Sequence, residues 1–159
     1  MKHRSTVCAV LVGGFIAGTL DILFAISFAY YRGIAPVRLL QTVASGVQGT
    51  AAFVGGIPAA ALGLALHFGM SFGWAAIFTV AAVRFPALLR RPLLSGMLFG
   101  VFVFFAMRLV VLPLSAFPYP VVFKPLATML DLLSHMLLFG APIALAARRA
   151  RNSLEQSRT

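Results

Sequence analysis

Asp131 and His135 stand four residues apart inside an apolar run, LATMLDLLSHMLLFGAPIALAARRAR. On a helix that spacing puts an acid and an imidazole on one face, one turn apart. Asp21, His67 and Arg108 are likewise embedded in apolar stretches. These residue types could do three kinds of chemistry. A guanidinium and a carboxylate can form a hydrogen-bonded ion pair, for which Arg108 and Asp131 are the candidates. An acid and two imidazoles, Asp21, His67 and His135, can pass a proton or bind an ion. Asp21, His67, Asp131 and His135 also have the donors of a nitrogen and oxygen metal site. Their spacing matches no recognised metal motif, so no metal is expected. A haem held by His67 and His135 is conceivable in principle, but no cofactor is expected. No nucleophile–base arrangement appears either. Ser71 follows His67 by one turn, and a serine in an apolar helix is expected to bond its own helix's backbone. An enzymatic activity is therefore not expected.

The elements that must position these groups follow from composition. Of 159 residues, 61% are apolar and 10% charged, where soluble domains hold about half and about a quarter. A chain of this size cannot bury so much apolar surface within itself, so the excess must face lipid. The net charge of +10 sits in short clusters between the apolar runs, a pattern of orientation signals. A nucleic-acid partner is not expected. One cysteine, Cys8, leaves no intramolecular disulfide.

Spanning helices need about 20 mainly apolar residues. Four runs qualify, at about 7–31, 57–83, 93–112 and 125–147, giving an all-α membrane four-helix bundle. The first run is too long for a signal-peptide core and is interrupted by Asp21, so it reads as a retained span. Residues 36–53 carry Arg38, Gln41, Thr42, Ser45, Gln48 and Thr50. This stretch reads as an interfacial or re-entrant helix, with a fifth span as the alternative. Residues 1–6 and 148–159 are expected to be polar ends, the latter a short unstructured basic tail. With the N-terminus inside, the inner set is Lys2, Arg4, Arg84, Arg90, Arg91, Arg148, Arg149, Arg151 and Arg158; the outer set is Arg32, Arg38 and Lys124. That bias places both termini in the cytoplasm, with the chain in a bacterial inner membrane.

Gly14 with Gly18, Gly69 with Gly73, and Gly96 with Gly100 have the spacing that lets helices approach closely in lipid. They do not separate contacts within one chain from those of a homodimer. At 1.5 Å per residue, Asp21, His67 and His135 all lie about 15 Å below the outer span ends. Asp131 lies about 9 Å down and Arg108 about 6 to 8 Å. Every span thus brings an ionisable group to a common layer, where each charge is costly and normally paired. A lone Asp21 would sit protonated unless it finds a partner.

The second half, from about Leu66 to Asn152, resembles the YagU-like small inner-membrane proteins of bacteria. The resemblance rests on HFGMSFGWAAIFTVAAVRFP, PLSAFP, DLLSH and RRARN; the first span matches loosely, through GGFIAGTLDILFA. It implies a multi-pass topology, weight on His67, Asp131 and His135, and an association with acid tolerance, but no reaction. The long outer insertion after the first span is missing here. The function expected is a non-enzymatic bundle fixed by a buried Asp/His/Arg network and serving envelope or acid-stress physiology. The alternative is a small proton- or ion-coupled transporter using Asp21, His67 and His135. The bilayer is the one partner expected, and no soluble partner can be named.

Overall fold

The computed structural model describes residues 3–156, all-helical with no strand among them. Lys2 and Arg158, counted in the charge bias above, lie outside the described residues. Helix α1 covers His3–Tyr31 and ends in a tight glycine turn. Gly33 takes φ +78°, its N–H reaches the Tyr30 carbonyl, and Ile34 N–H reaches Ala29. This closes the last carbonyls of the helix and requires a residue tolerant of left-handed backbone. Helix α2 spans Pro36–Gln48, followed by a 3-10 segment Gly49–Val54, and α3 spans Gly56–Arg84. A 3-10 turn, Pro86–Leu89, leads to α4, Pro92–Leu114, and α5 occupies residues 125–156. Prolines open α2, α4 and α5 in their first turn, where a missing N–H has no cost.

Four helices, α1, α3, α4 and α5, are long and apolar enough to cross a membrane. The shortest, α4, has 23 residues, and at 1.5 Å each this is about 35 Å, more than a hydrocarbon core of about 30 Å. α5 does not stop at Ala147 as the tail expectation had it: the helix continues through the arginines to Gln156.

The packing is inverted relative to a soluble protein. Alanines occupy the interior, among them Ala17, Ala75, Ala144 and Ala147, while Leu11, Phe15, Leu98, Phe102 and Leu137 face outward. In lipid no hydrophobic drive pulls helices together, so close backbone approach must do it, and small residues permit that. On α1, Gly14 and Gly18 meet Phe72 and Phe68 of α3, and Gly13 meets Ile143 and Ala146 of α5. On α4, Gly96 and Gly100 lie directly against backbone atoms of α5 around His135, Gly140 and Ala141. Neighbouring spans run antiparallel, as these paired numbers require. Gly69 and Gly73 make no such contact within the chain. A Cβ added at either would meet nothing within 4 Å, because both face outward. The α3 contacts are made instead by the stripe His67, Ser71, Ala75 and Thr79, and by Gly63, which touches the Leu40 backbone of α2.

α4 and α5 each contain one π-helical turn, Met107–Val111 and His135–Gly140. Each is followed within two residues by a proline, Pro113 and Pro142. A proline in a helix lacks its N–H and pushes against the carbonyl four residues earlier, here Leu109 and Leu138. A wide turn relieves that clash. Arg108 and His135 sit in these two turns.

Candidate functional site

Four spans bring polar groups to one half of the bundle, and on α4 and α1 a stripe of residues spaced four apart explains how. α4 carries Gly96, Gly100, Phe104 and Arg108 in register, so the face that packs tightly on α5 runs on into the guanidinium. α1 likewise carries Gly13, Ala17 and Asp21, running on to the carboxylate.

Arg108 uses three nitrogens. Nη2 donates to Asp131 Oδ2 at 2.7 Å and Nε donates to the same oxygen at 3.3 Å. Nη1 donates to the Val122 carbonyl of the loop at 3.2 Å. The guanidinium therefore forks onto one oxygen, and a parallel two-oxygen pair does not form. The reason is His135, whose Nδ1 lies 3.2 Å from the other oxygen, Oδ1, and 2.9 Å from the Asp131 carbonyl. Asp131 thus bridges Arg108 and His135. Asp21 of α1 approaches the same imidazole nitrogen at 4.0 Å and accepts a hydrogen bond from Ser134 at 3.4 Å.

All three groups facing His135 Nδ1 are acceptors, so Nδ1 carries a hydrogen in either charge state of the ring. Nε2 has no hydrogen-bond partner among the described residues. Phe104 meets the ring edge-on at 5.7 Å and Phe139 lies 6.0 Å away. A cleft of about 430 Å³ opens here, lined by Arg108, Asp131 and His135 with Phe104, Phe117 and Val122 among its apolar walls. Asp131 is the most open of the charged groups, its side chain 34% exposed against 20% for Arg108.

His67 stands apart from this chain of contacts. Its Nε2 donates to the Gly18 carbonyl of α1 at 2.8 Å, and its ring packs edge-on against Phe68. One turn on, Ser71 Oγ donates to the Gly14 carbonyl at 2.6 Å. Ser71 therefore bonds the neighbouring helix, not its own, because Gly14 brings the α1 backbone within reach. Ser71→Ala is expected to lower stability by about 1 kcal/mol, in line with interhelical hydrogen bonds in lipid, measured by reversible unfolding in mixed micelles.

Compared with protein-family models, curated proteins and solved structures, the chain matches none. The site must accordingly be read from its own chemistry. No group of three or more His, Cys, Asp or Glu suited to a metal occurs among the described residues. Ser134, absent from the sequence expectation, belongs to the site by its bonds to Asp21 and to the Asp131 carbonyl. Its signal was available, since it precedes His135 and follows Asp131 by three residues.

Proposed function

We propose that the chain is a multi-pass membrane protein without enzymatic activity, in which one exchangeable proton, carried either by the Asp21 carboxyl or by His135 at Nε2, sets how α1, α4 and α5 pack. The observation that carries this reading is the placement of one imidazole nitrogen between carboxylates from two helices, with a guanidinium behind one of them. Charge arithmetic does the rest. Arg108 and Asp131 cancel. Asp21 and His135 are neutral together when they share one exchangeable proton, as neutral ring with carboxylic acid or as imidazolium with carboxylate. Gaining or losing a proton leaves a net charge in a poorly hydrated layer, which is costly. Such a layer responds to proton activity by changing its packing, which supports a place in envelope or acid-stress physiology. The resemblance to the YagU-like proteins supports the same role. On this reading the chain lies in a bacterial inner membrane with both termini cytoplasmic and α2 at the outer interface.

The test is thermal unfolding in nanodiscs across pH. The wild type is expected to show a one-proton change in midpoint, and Asp21→Asn and His135→Gln are each expected to flatten it. Unaltered profiles in both variants would remove the proposal. A second reading, a small proton- or ion-coupled transporter, is favoured by the cleft that reaches His135. It requires proteoliposome flux that Asp21→Asn abolishes while the protein still folds.

A further inference from the structure

At the opposite end of the bundle Arg90, Arg148 and Arg151 converge with Pro86 and Asn152 on a pocket of about 150 Å³. That is room for several waters, and so for a small polyatomic group. Arg90 comes from the turn between α3 and α4, whereas Arg148, Arg151 and Asn152 lie on one face of α5, so the pocket is flanked from two sides. Arg148 is not a loose surface side chain. Its Nη1 donates to the carbonyl of Leu89, itself fully buried, and this holds the guanidinium against the 3-10 turn. The chain has three acids. Two of them, Asp21 and Asp131, are committed to the polar layer in the other half of the bundle. Guanidinium donors brought to one pocket from two elements, Arg90 from the turn and Arg148 from the helix, select an anion with several acceptor oxygens.

We infer that this pocket binds the phosphate of an anionic phospholipid. The lipid source is favoured over free phosphate because Phe85, next in the chain to the lining residue Pro86, and Leu93 and Leu94, shortly after Arg90, are exposed at the same end of the spans. They offer apolar surface for acyl chains at the end of the bundle where the pocket lies. Basic pockets between spanning helices hold lipid headgroups in this manner. The assignment is independent of the polar layer.

The full-length chain in neutral detergent is titrated with phosphatidylglycerol, with phosphatidylcholine and with inorganic phosphate, and bound lipid is counted by native mass spectrometry. The wild type is expected to bind phosphatidylglycerol in preference to phosphatidylcholine. Arg90→Gln and Arg148→Gln are each expected to weaken it about five-fold, the effect of one basic residue near a membrane surface. Arg84→Gln, exposed at the same end but outside the pocket, is expected to leave it unchanged. Arg90 is exposed, so its substitution decides the matter even where Arg148→Gln disturbs the turn. Retention of phosphatidylglycerol by Arg90→Gln at the wild-type level overturns the site. An equal loss in Arg84→Gln assigns the effect to diffuse surface charge and also overturns it. If inorganic phosphate alone displaces the lipid at equal concentration, the occupant is a free anion and the lipid assignment fails.

Discussion

Alanine in place of Gly100 is expected to cost at least about 3 kcal/mol, the upper range for overpacking a well-packed site, and leucine there is expected to prevent assembly of the native bundle. A Cβ at Gly100 would run into the carbonyl of His135 and come within 2.7 Å of Met136 Cα. The contact is reciprocal. Added atoms at Gly96 would meet the Gly140 oxygen at 2.6 Å, and at Gly140 they would meet the Gly96 oxygen and the Gly100 backbone. These obstacles are backbone atoms, which have no rotamer to change, so the helices must move apart. Separating α4 from α5 also withdraws the support behind His135, and the pH response described above should be lost together with stability. The control is Gly73→Ala. That glycine faces open space, and replacing a helical glycine by alanine gains about 0.5 to 1 kcal/mol. Unfolding of the three proteins in mixed micelles compares them directly. Equal tolerance of alanine at positions 100 and 73 would falsify the close crossing.

The same glycines show what could be read from the sequence and what could not. Four apolar runs give four helices because length and hydrophobicity alone decide whether a segment can span. That Asp21, Asp131, His135 and Arg108 come to one half of the bundle also followed from counting residues along each helix. Which face a residue occupies did not follow. Gly69 and Gly73 have the same spacing as Gly96 and Gly100, yet one pair faces outward and the other touches backbone, because rotation about the helix axis is set by partners. Gly140 has no spaced companion and so gave no signal, although it makes the closest approach to α4. The π turns were indicated by Pro113 and Pro142, but a proline can equally end a helix, and α4 was expected to stop at Leu112. It stays helical to Leu114, an exposed end, because the π turn before Pro113 makes room for the ring. His67 was expected in the layer at the same depth as His135. It bonds the Gly18 carbonyl at the α1–α3 seam, three residues from Asp21, and shares no hydrogen bond with His135, since depth fixes only one of the two coordinates that place a side chain.

Removing one member of the Arg108–Asp131 pair is expected to cost more than removing both. Arg108→Leu leaves two carboxylates facing one imidazole, with Asp131 deprived of the 2.7 Å and 3.3 Å bonds to its Oδ2. Breaking a buried pair in this way costs about 3 to 5 kcal/mol. Both side chains here retain some exposure, 20% and 34%, so about 3 kcal/mol, the lower end, is the expected loss at neutral pH. Arg108→Leu with Asp131→Leu restores charge balance, because Asp21 and His135 remain and share their proton, and it should recover part of that loss. Arg108→Lys keeps the charge, but an ammonium group is compact and cannot reproduce the planar fork to Asp131 Oδ2 and the Val122 carbonyl. It should fall between the wild type and Arg108→Leu. Arg108 also lies over the rings of Phe104 and Phe123, at 5.0 Å and 5.4 Å, so part of the loss in Arg108→Leu is ring contact and not charge. The double-mutant cycle separates the two, since the ring term appears in both arms and cancels from the coupling. A coupling energy indistinguishable from zero would mean that Asp131 serves His135 alone, and the guanidinium would then drop out of the layer.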